Sequence, residues 1–368
     1  MVIADRNAEK GEKLARELGD RVSIKKVDAS DFSSLLEAFR GADAVVNTLG
    51  PFYHWGEKVL KAAIRAKVNL VDIDDDYDAT QRCLEMDQEA RNAGILAIVG
   101  LGTTPGLTNL LAKYGARGIE PEKIETSWVW TAVDPLMGPA IIYHFFHAIS
   151  GEVPTYIDGR WVKVKALSEP EVVEFPAPFG RIEVANVGHP EPVTIPRYIR
   201  GVKKVTNKGT VWPKLLADLA KTFAMIGLTE MREVSLGSLT ICPRDLMVEL
   251  TLRLNELSSP ELVESVIKEI EGFGEYAMGV ALRVDVEGKK EDRVIRRSYS
   301  LVSPSAVRAT ALPAALGVVK MLRENYENRG VYPPEGIIEP GKFLRDVAKD
   351  FEIQEVEEKR GKLSQILE

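Results

Sequence analysis

The segment Asp72-Ile73-Asp74-Asp75-Asp76-Tyr77-Asp78 places five carboxylates within seven residues. Carboxylates this close repel one another, and in a partly closed cleft that repulsion raises the pKa of one until it can exchange protons near neutrality. Such a group would also hold a substrate ammonium. Asp74 and Asp75 are the candidates for this work, with a solvated charged loop as the plain alternative, and Asp78 reads as a cap of the next helix. In Gly50-Pro51-Phe52-Tyr53 the Tyr53 hydroxyl could be offered to a reacting nitrogen, or the run could be a turn with an aromatic plug. His144 and His147 stand at i and i+3 on one helix face. With no third ligand and no H-E-x-x-H pattern they do not make a metal site, so packing is their expected role, with His144 the candidate acid–base imidazole. Arg197 and Arg244 could each clamp a carboxylate with two parallel hydrogen bonds, or form a surface ion pair.

These groups need elements to hold them. Short apolar runs at 1–4, 22–27, 44–49, 69–73 and 95–99 alternate with helical spacing at 8–18, 32–39, 58–66, 79–93 and 107–116. Strands separated by helices predict β-α-β units and a parallel sheet, and unalternating apolar strands predict helices on both faces. The fold class is α/β, a doubly wound parallel sheet of the kind that binds dinucleotides. Chemistry on such a sheet gathers beyond the carboxyl ends of its strands, at the point where strand order reverses.

Read in that frame, Asp5 ends the second strand of a nucleotide-binding unit, where its carboxylate would accept hydrogen bonds from the adenosine ribose hydroxyls. A simple helix N-cap is the alternative. Five strands match strands two to six of a six-stranded unit, so the first strand and its glycine-rich turn are expected to precede Met1, about 20–30 residues upstream. NAD is the expected cofactor because Asp5 would repel a 2′-phosphate, while Arg6 beside it leaves NADP open. Asp28 and Ala29 would border the adenine, and Asn47, Thr48, Gly50, Pro51 and Phe52 the nicotinamide end. The loop Gly100-Leu101-Gly102-Thr103-Thr104-Pro105-Gly106 imitates a dinucleotide turn, but Pro105 precedes its third glycine and no acid-ended strand follows. The backbone N–H groups at the start of the next helix are instead an expected cradle for a substrate carboxylate, with Thr103, Thr104, Gly106 and Asn109 around it.

Composition narrows the function. Lys plus Arg number 48 and Asp plus Glu 55, a net charge of −7 with no basic cluster, which argues against nucleic acid or anionic lipid as partner. Two distant cysteines, Cys83 and Cys242, exclude a disulfide framework and fit a reducing, cytoplasmic setting. No apolar run reaches the ~18–20 residues of a membrane span.

The runs Gly50-Pro51-Phe52-Tyr53, Val71-Asp72-Ile73-Asp74-Asp75 and Gly102-Thr103-Thr104-Pro105-Gly106-Leu107-Thr108-Asn109 resemble the saccharopine dehydrogenase family, which includes saccharopine reductases, lysine 6-dehydrogenases and carboxynorspermidine dehydrogenases. The resemblance covers residues 1 to about 115 and weakens beyond. It implies a dinucleotide domain at 1–115, an inserted α+β substrate and dimerisation domain at 116–303, and a tail at 304–368 returning to the first domain. It further implies NAD(P)-dependent oxidation of an amino-acid C–N bond followed by imine hydrolysis, in a homodimer. The missing glycine turn and the extra acidic residues depart from the family pattern. A non-catalytic binding or regulatory subunit is therefore the alternative, with lysine 6-dehydrogenation a specific variant.

Downstream, strands are expected at 128–133, 161–166, 171–175, 181–187, 205–208, 276–287, 292–301 and 351–356. Helices are expected at 139–150, 215–225, 260–273, 305–325 and 343–350, with a turn at 330–335 and a solvated tail at 357–368.

Overall fold

The computed structural model describes residues 1–132, 138–324 and 326–360. Val133, Asn325 and the tail beyond residue 360 thus lie outside the described residues.

Chain order in the first hundred residues is the predicted alternation. Strand β1 (Val2–Asp5) leads into helix α1 (Ala8–Leu18), and β2 (Ser23–Lys26) into α2 (Phe32–Phe39). Strand β3 (Ala44–Asn47) follows, then α3 (Phe52–Ala66) and β4 (Asn69–Asp72). Helices α4 (Tyr77–Glu85) and α5 (Asp87–Ala93), strand β5 (Leu96–Ile98) and α6 (Leu107–Gly115) complete the series. Helix α3 begins six residues before the predicted start, with Pro51 as its cap, so Tyr53 sits in a helical first turn rather than in a loop. The stretch expected to be one helix over 79–93 is broken at Met86 into two.

Beyond residue 116 come β6 (Glu120–Thr131), α7 (Pro139–Ala148), β7 (Glu152–Ile157), β8 (Arg160–Lys165), β9 (Glu171–Glu174), β10 (Arg181–Asn186), α8 (Glu191–Tyr198) and β11 (Lys204–Trp212). A hairpin of β12 (Val234–Leu236) and β13 (Leu239–Ile241) precedes the long pair β14 (Val280–Lys290) and β15 (Arg293–Ser303). The chain closes with β16 (Gly330–Tyr332) and β17 (Ile353–Arg360).

The parallel sheet comes in two pieces. β1 pairs with β2 in parallel, Val2 opposite Ser23 through Asp5 opposite Lys26, while β3, β4, β5 and β16 form a separate four-stranded parallel sheet. No strand among the described residues joins β1 to β3, the interruption expected of a sheet without its first strand. The open edges show the consequence, since Val46 in the middle of β3 is 43% exposed, unlike an interior strand residue of a covered parallel sheet. β16 was expected to be a turn. Its three residues instead extend the sheet beyond β5.

The second sheet is mixed and nine-stranded, with central order β17-β15-β14-β6-β11-β10-β9 and β7 and β8 branching from β11. Of the residues at 304–368, β16 pairs with β5 in the parallel sheet and β17 pairs with β15 at the edge of the large sheet. One apolar core unites the sheets. Leu107, Leu110 and Leu111 of α6 and Val71, Leu96 and Ile98 of the parallel strands cluster with Val280, Leu282, Val284 and Val286 of β14. At about 25 cal/mol per Å² of apolar surface removed from water, this shared core, which includes Val71 of β4 and Ile195 of α8, is the principal force holding those elements together.

Candidate functional site

Asp72 closes β4, and the next four residues fold back on themselves. The Asp72 carboxylate accepts from the backbone N–H of Gly100 (2.7 Å) and of Asp74 (3.1 Å). Asp74 in turn accepts from the N–H of Asp76 (2.9 Å) and the hydroxyl of Thr80 (3.0 Å). Asp76 accepts from the N–H of Tyr53 (2.8 Å), placing its charge at the amino terminus of α3, where the helix dipole favours an anion. A run of aspartates therefore folds as a self-bonded turn. Asp72, Asp74 and Asp76 are all fully buried, whereas the Asp75 side chain keeps 32% exposure.

Helix α7 brings its imidazoles to this turn. His144 Nδ1 lies 2.8 Å from Asp76 Oδ1 and 3.2 Å from Asp75 Oδ1. One turn on, His147 Nε2 lies 3.1 Å from Asp78, and its ring stacks on that of Tyr77 and packs tilted against that of Tyr53. On the far side of His144, its Nε2 meets Nε2 of His189 at 3.2 Å. His189 arrives from the end of β10 because Gly188 allows a close approach, a Cβ there falling 2.7 Å from the Tyr77 ring. Glu191 opens α8 behind it, with Oε2 3.5 Å from His189 Nδ1. Its other oxygen accepts from the hydroxyls of Thr104 (2.6 Å) and Thr108 (2.8 Å).

The electrostatics follow from burial and pairing. Burial pushes the Asp72 carboxyl up to about 7, and burial with the neighbouring carboxylates pushes Asp74 well above the usual range. Asp75 is raised by burial against the opposing pull of His144. For Asp76 burial works upward, but the hydrogen bond and charge of His144 outweigh it and hold the group down. For His144 burial works downward, and the carboxylates of Asp75 and Asp76 overcome it, lifting the imidazole to about 9. Glu191 is likewise held low against its burial, with His189 and the two threonine hydroxyls as the opposing groups. The turn thus sets carboxyls raised by burial beside one held low by an imidazole, the separated pattern that acid–base chemistry needs.

The oxygens of Asp75 and Asp76 and a nitrogen of His144 lie within 4.8 Å of one another, close enough for one cation. However, the Nδ1 that would face such an ion is already within hydrogen-bond distance of both carboxylates, the arrangement of a protonated ring.

Other sequence candidates divide. Arg244 is buried, donates to the Thr229 carbonyl (2.7 Å), reaches Nδ1 of His147 at 3.4 Å and lies over the Tyr53 ring, so it belongs to the rim of the cluster. Burial outweighs Arg244 and raises the Tyr53 hydroxyl. Arg197 is elsewhere, stacked over Trp161 and bonded to the Val193 carbonyl within α8. The cradle expected at the start of α6 is closed. The N–H of Gly106 goes to Asn109 Oδ1, that of Leu107 to the Gly102 carbonyl and that of Thr108 to the Thr103 carbonyl. Gly106 has φ +122°, and a Cβ there would fall 2.2 Å from the Gly102 oxygen, so the turn packs on itself. Thr103 pairs with Thr310 and Asn109 with Thr194, which makes these side chains a buried polar seam rather than an anion site. Asp78 is not a cap either; it lies inside α4 and accepts from Arg82 (3.1 Å).

The rim assigned to a dinucleotide is open. Asp5 ends β1 exposed, bonded to the N–H of Asn7 (2.6 Å), and Asn7 rather than Asp5 caps α1. Arg6 and Ala29 flank the exposed ends of β1 and β2. Asp28 is held below its usual pKa by the hydroxyl and N–H of Ser30. At the end of β3, Asn47 is buried and its Nδ2 has no partner, an orphaned donor next to exposed Thr48 in the chain. An exposed carboxylate at one strand end and an unpaired amide at another fit a bound dinucleotide. Gly50 packs against Ala140 of α7, and Phe52 is buried beneath it, so Pro51 and its neighbours join the rim to the cluster.

Sequence reasoning did not find His189 or Glu191. A histidine two residues before a glutamate, at a strand end and before a Pro-rich helix start, was the available signal.

Residues 1–98 match the family described as Saccharopine dehydrogenase NADP binding domain. Among solved structures, the apo saccharopine dehydrogenase (L-Glu forming) of Saccharomyces cerevisiae superposes with a TM-score of 0.63 at 14% identity, over 98% of this chain and 94% of that one. At that identity the likeness shows a shared fold. The DAP dehydrogenase of C. glutamicum aligns over 95% of this chain and 99% of its own, at 13% identity and a TM-score of 0.42. Among the described residues no helix is long and apolar enough to cross a membrane. Residues 1–98 are thus similar to a nicotinamide-dinucleotide-binding domain, and the chain as a whole shares the fold of the yeast enzyme.

Proposed function

We propose, from an amino-terminal domain of this type, that the protein oxidises a C–N bond of a small amino-acid substrate. The observation that carries the reading is the buried carboxylate–imidazole cluster directly beyond β4, tied to the segment after β3 by the Tyr53 N–H bond to Asp76. When bound, NAD(P) supplies the hydride acceptor. Asp5 would hold its ribose hydroxyls, favouring NAD, while Arg6 leaves NADP open.

The chain's own work is proton handling and exclusion of water. Asp75 is the one carboxylate of the turn open to a ligand, so it accepts the proton of a substrate ammonium, freeing the nitrogen lone pair. His144, cationic and in contact with Asp75, returns a proton when water adds to the imine and the amine departs. Tyr53 and Arg244 close the side of the site and are available to a substrate carboxylate. Asp74, sealed with both oxygens bonded, shapes the turn and touches no substrate.

The test follows reduced-nicotinamide absorbance with the protein as its gene encodes it, against amino acids carrying ω-ammonium or secondary-amine groups. Turnover with one of these is expected, and Asp75→Asn should lower kcat about 100-fold or more with smaller loss in KM. Dinucleotide binding with no turnover on any amine would instead favour the non-catalytic subunit.

A homodimer fits the same reading. Pairing of Val234 with Ile241 and Leu236 with Leu239 puts four apolar side chains on one face of the isolated β12–β13 hairpin, with Val234, Leu236 and Leu239 more than half exposed. A two-stranded hairpin is marginal alone in water, so a second copy is the proposed cover. Leu236→Lys with Leu239→Lys should halve the mass found by light scattering, and a wild-type monomer would end the proposal.

A further inference from the structure

His144 and His189 approach Nε2 to Nε2, and no arrangement of that contact satisfies both rings without a shared proton. At 3.2 Å one nitrogen must donate and the other accept. The outer nitrogens face carboxylates. His144 Nδ1 meets Asp76 and Asp75, and His189 Nδ1 lies 3.5 Å from Glu191 Oε2, with neither of those last two atoms hydrogen-bonded to anything else. Two protons on the pair would leave one bare nitrogen against a carboxylate at one end or the other. Four would set two N–H groups against each other in the middle. Three satisfy every contact, as one imidazolium and one imidazole.

We propose that His144 and His189 hold one excess proton between them, and that Glu191, at the far end, is a positioning residue that sets the acidity His144 presents to the substrate side. This rests on the reading of His144 as the acid–base group. The transfer balances without any other reactant. When His144 Nδ1 gives its proton to Asp75, an N–H bond breaks and an O–H bond forms, and the remaining Nε2–H of His144 stays in the contact with His189. The positive charge is lost from the pair, and the reverse step restores it.

Asp72 and Asp74 lie behind Asp76 in the same turn, and His147, itself held by Asp78 and Arg244, acts on Asp76 from one turn along α7. The Trp128 ring of β6 covers His189 at 5.2 Å between centroids, and Thr104 and Thr108 hold the other oxygen of Glu191. Glu335, also buried, lies near Thr194 and Asn109, where burial raises its carboxyl and the charge of Glu191 adds to the rise. The pair bridges α7 and the β10–α8 connection, and His144 alone carries the contact on to the turn beyond β4.

Ring nitrogen NMR on the ligand-free protein tests this, and with four histidines in the chain the resonances are assignable by substitution. The expected result is one deprotonation step in the alkaline range that moves both His144 and His189 together. Glu191→Gln, which keeps the size and removes the charge, should lower that midpoint by one pH unit or more, and should carry the pH profile of kcat/KM with it. Independent titration of the two rings in the wild-type protein overturns the proposal, as does a Glu191→Gln midpoint equal to wild type. Displacement of the shared proton by micromolar zinc at neutral pH would show a cation site instead and also overturn it. Because the titration is read without substrate, it stands or falls separately from amine turnover.

Discussion

Two groups of aspartates end parallel strands in this molecule and behave in opposite ways. Asp5 and Asp28 lie at the ends of β1 and β2 in water, and Asp28 is lowered chiefly by its own Ser30 turn. Asp72, Asp74 and Asp76 follow β4 under α3, α7 and α8, and burial divides them into raised and lowered members. The chemistry of the side chain is the same. What differs is whether water or a protein dipole solvates it, and that decides which aspartate can only hold a ligand and which can move a proton.

The comparison can be broken most directly by removing one carboxylate from each group. Asp76→Ala leaves His144 as a buried charge with a single partial partner and frees the first turn of α3, which should cost about 3–5 kcal/mol in urea unfolding. Asp5→Ala, measured the same way, should stay within about 0.5 kcal/mol. Equal losses would erase the distinction.

A pH series sharpens it. Asp72, raised to about 7 in the fold, binds more protons folded than unfolded above its ordinary value of 3.8, so its contribution is lost as pH climbs toward 7. His144, raised to about 9 from 6.5, contributes fully below 6.5 and loses that contribution as pH rises through about 9, on the order of 3 kcal/mol. Asp78, lowered to about 2, acts the other way, its contribution vanishing as pH falls below 3.8. Thermal unfolding should therefore be most resistant in mildly acid buffer and weaken toward pH 9, and His144→Asn should flatten the alkaline limb. A flat profile in the wild-type protein would contradict the charge assignment.

The smallest effect belongs to the exposed rim. Asp5→Ala should weaken dinucleotide binding about tenfold by calorimetry while leaving the urea midpoint unchanged. An unaltered affinity would remove Asp5 from the cofactor site.

Apolar periodicity read from single segments located β1 through β5 and the helices between them, because buried parallel strands and amphipathic helices carry their pattern locally. The same local logic singled out Asp75, His144 and Arg244, residue types whose chemistry is visible in a short run and which the fold places in or beside one cluster. It failed at β16, whose three residues are a strand only because β5 offers an unpaired edge. It failed also at Arg197 and at the start of α6, where donors that look free in sequence are engaged by Trp161, Gly102, Thr103 and Asn109.

From its order of residues alone, this protein was determined to be a parallel α/β chain with an acidic turn at a strand end. Only the tertiary structure decided that His189 and Glu191, more than a hundred residues along, meet that turn through His144. The reason is physical: periodicity is a property of neighbours in the chain, whereas a shared proton depends on nitrogens 3.2 Å apart that the apolar core, not the local sequence, brings together.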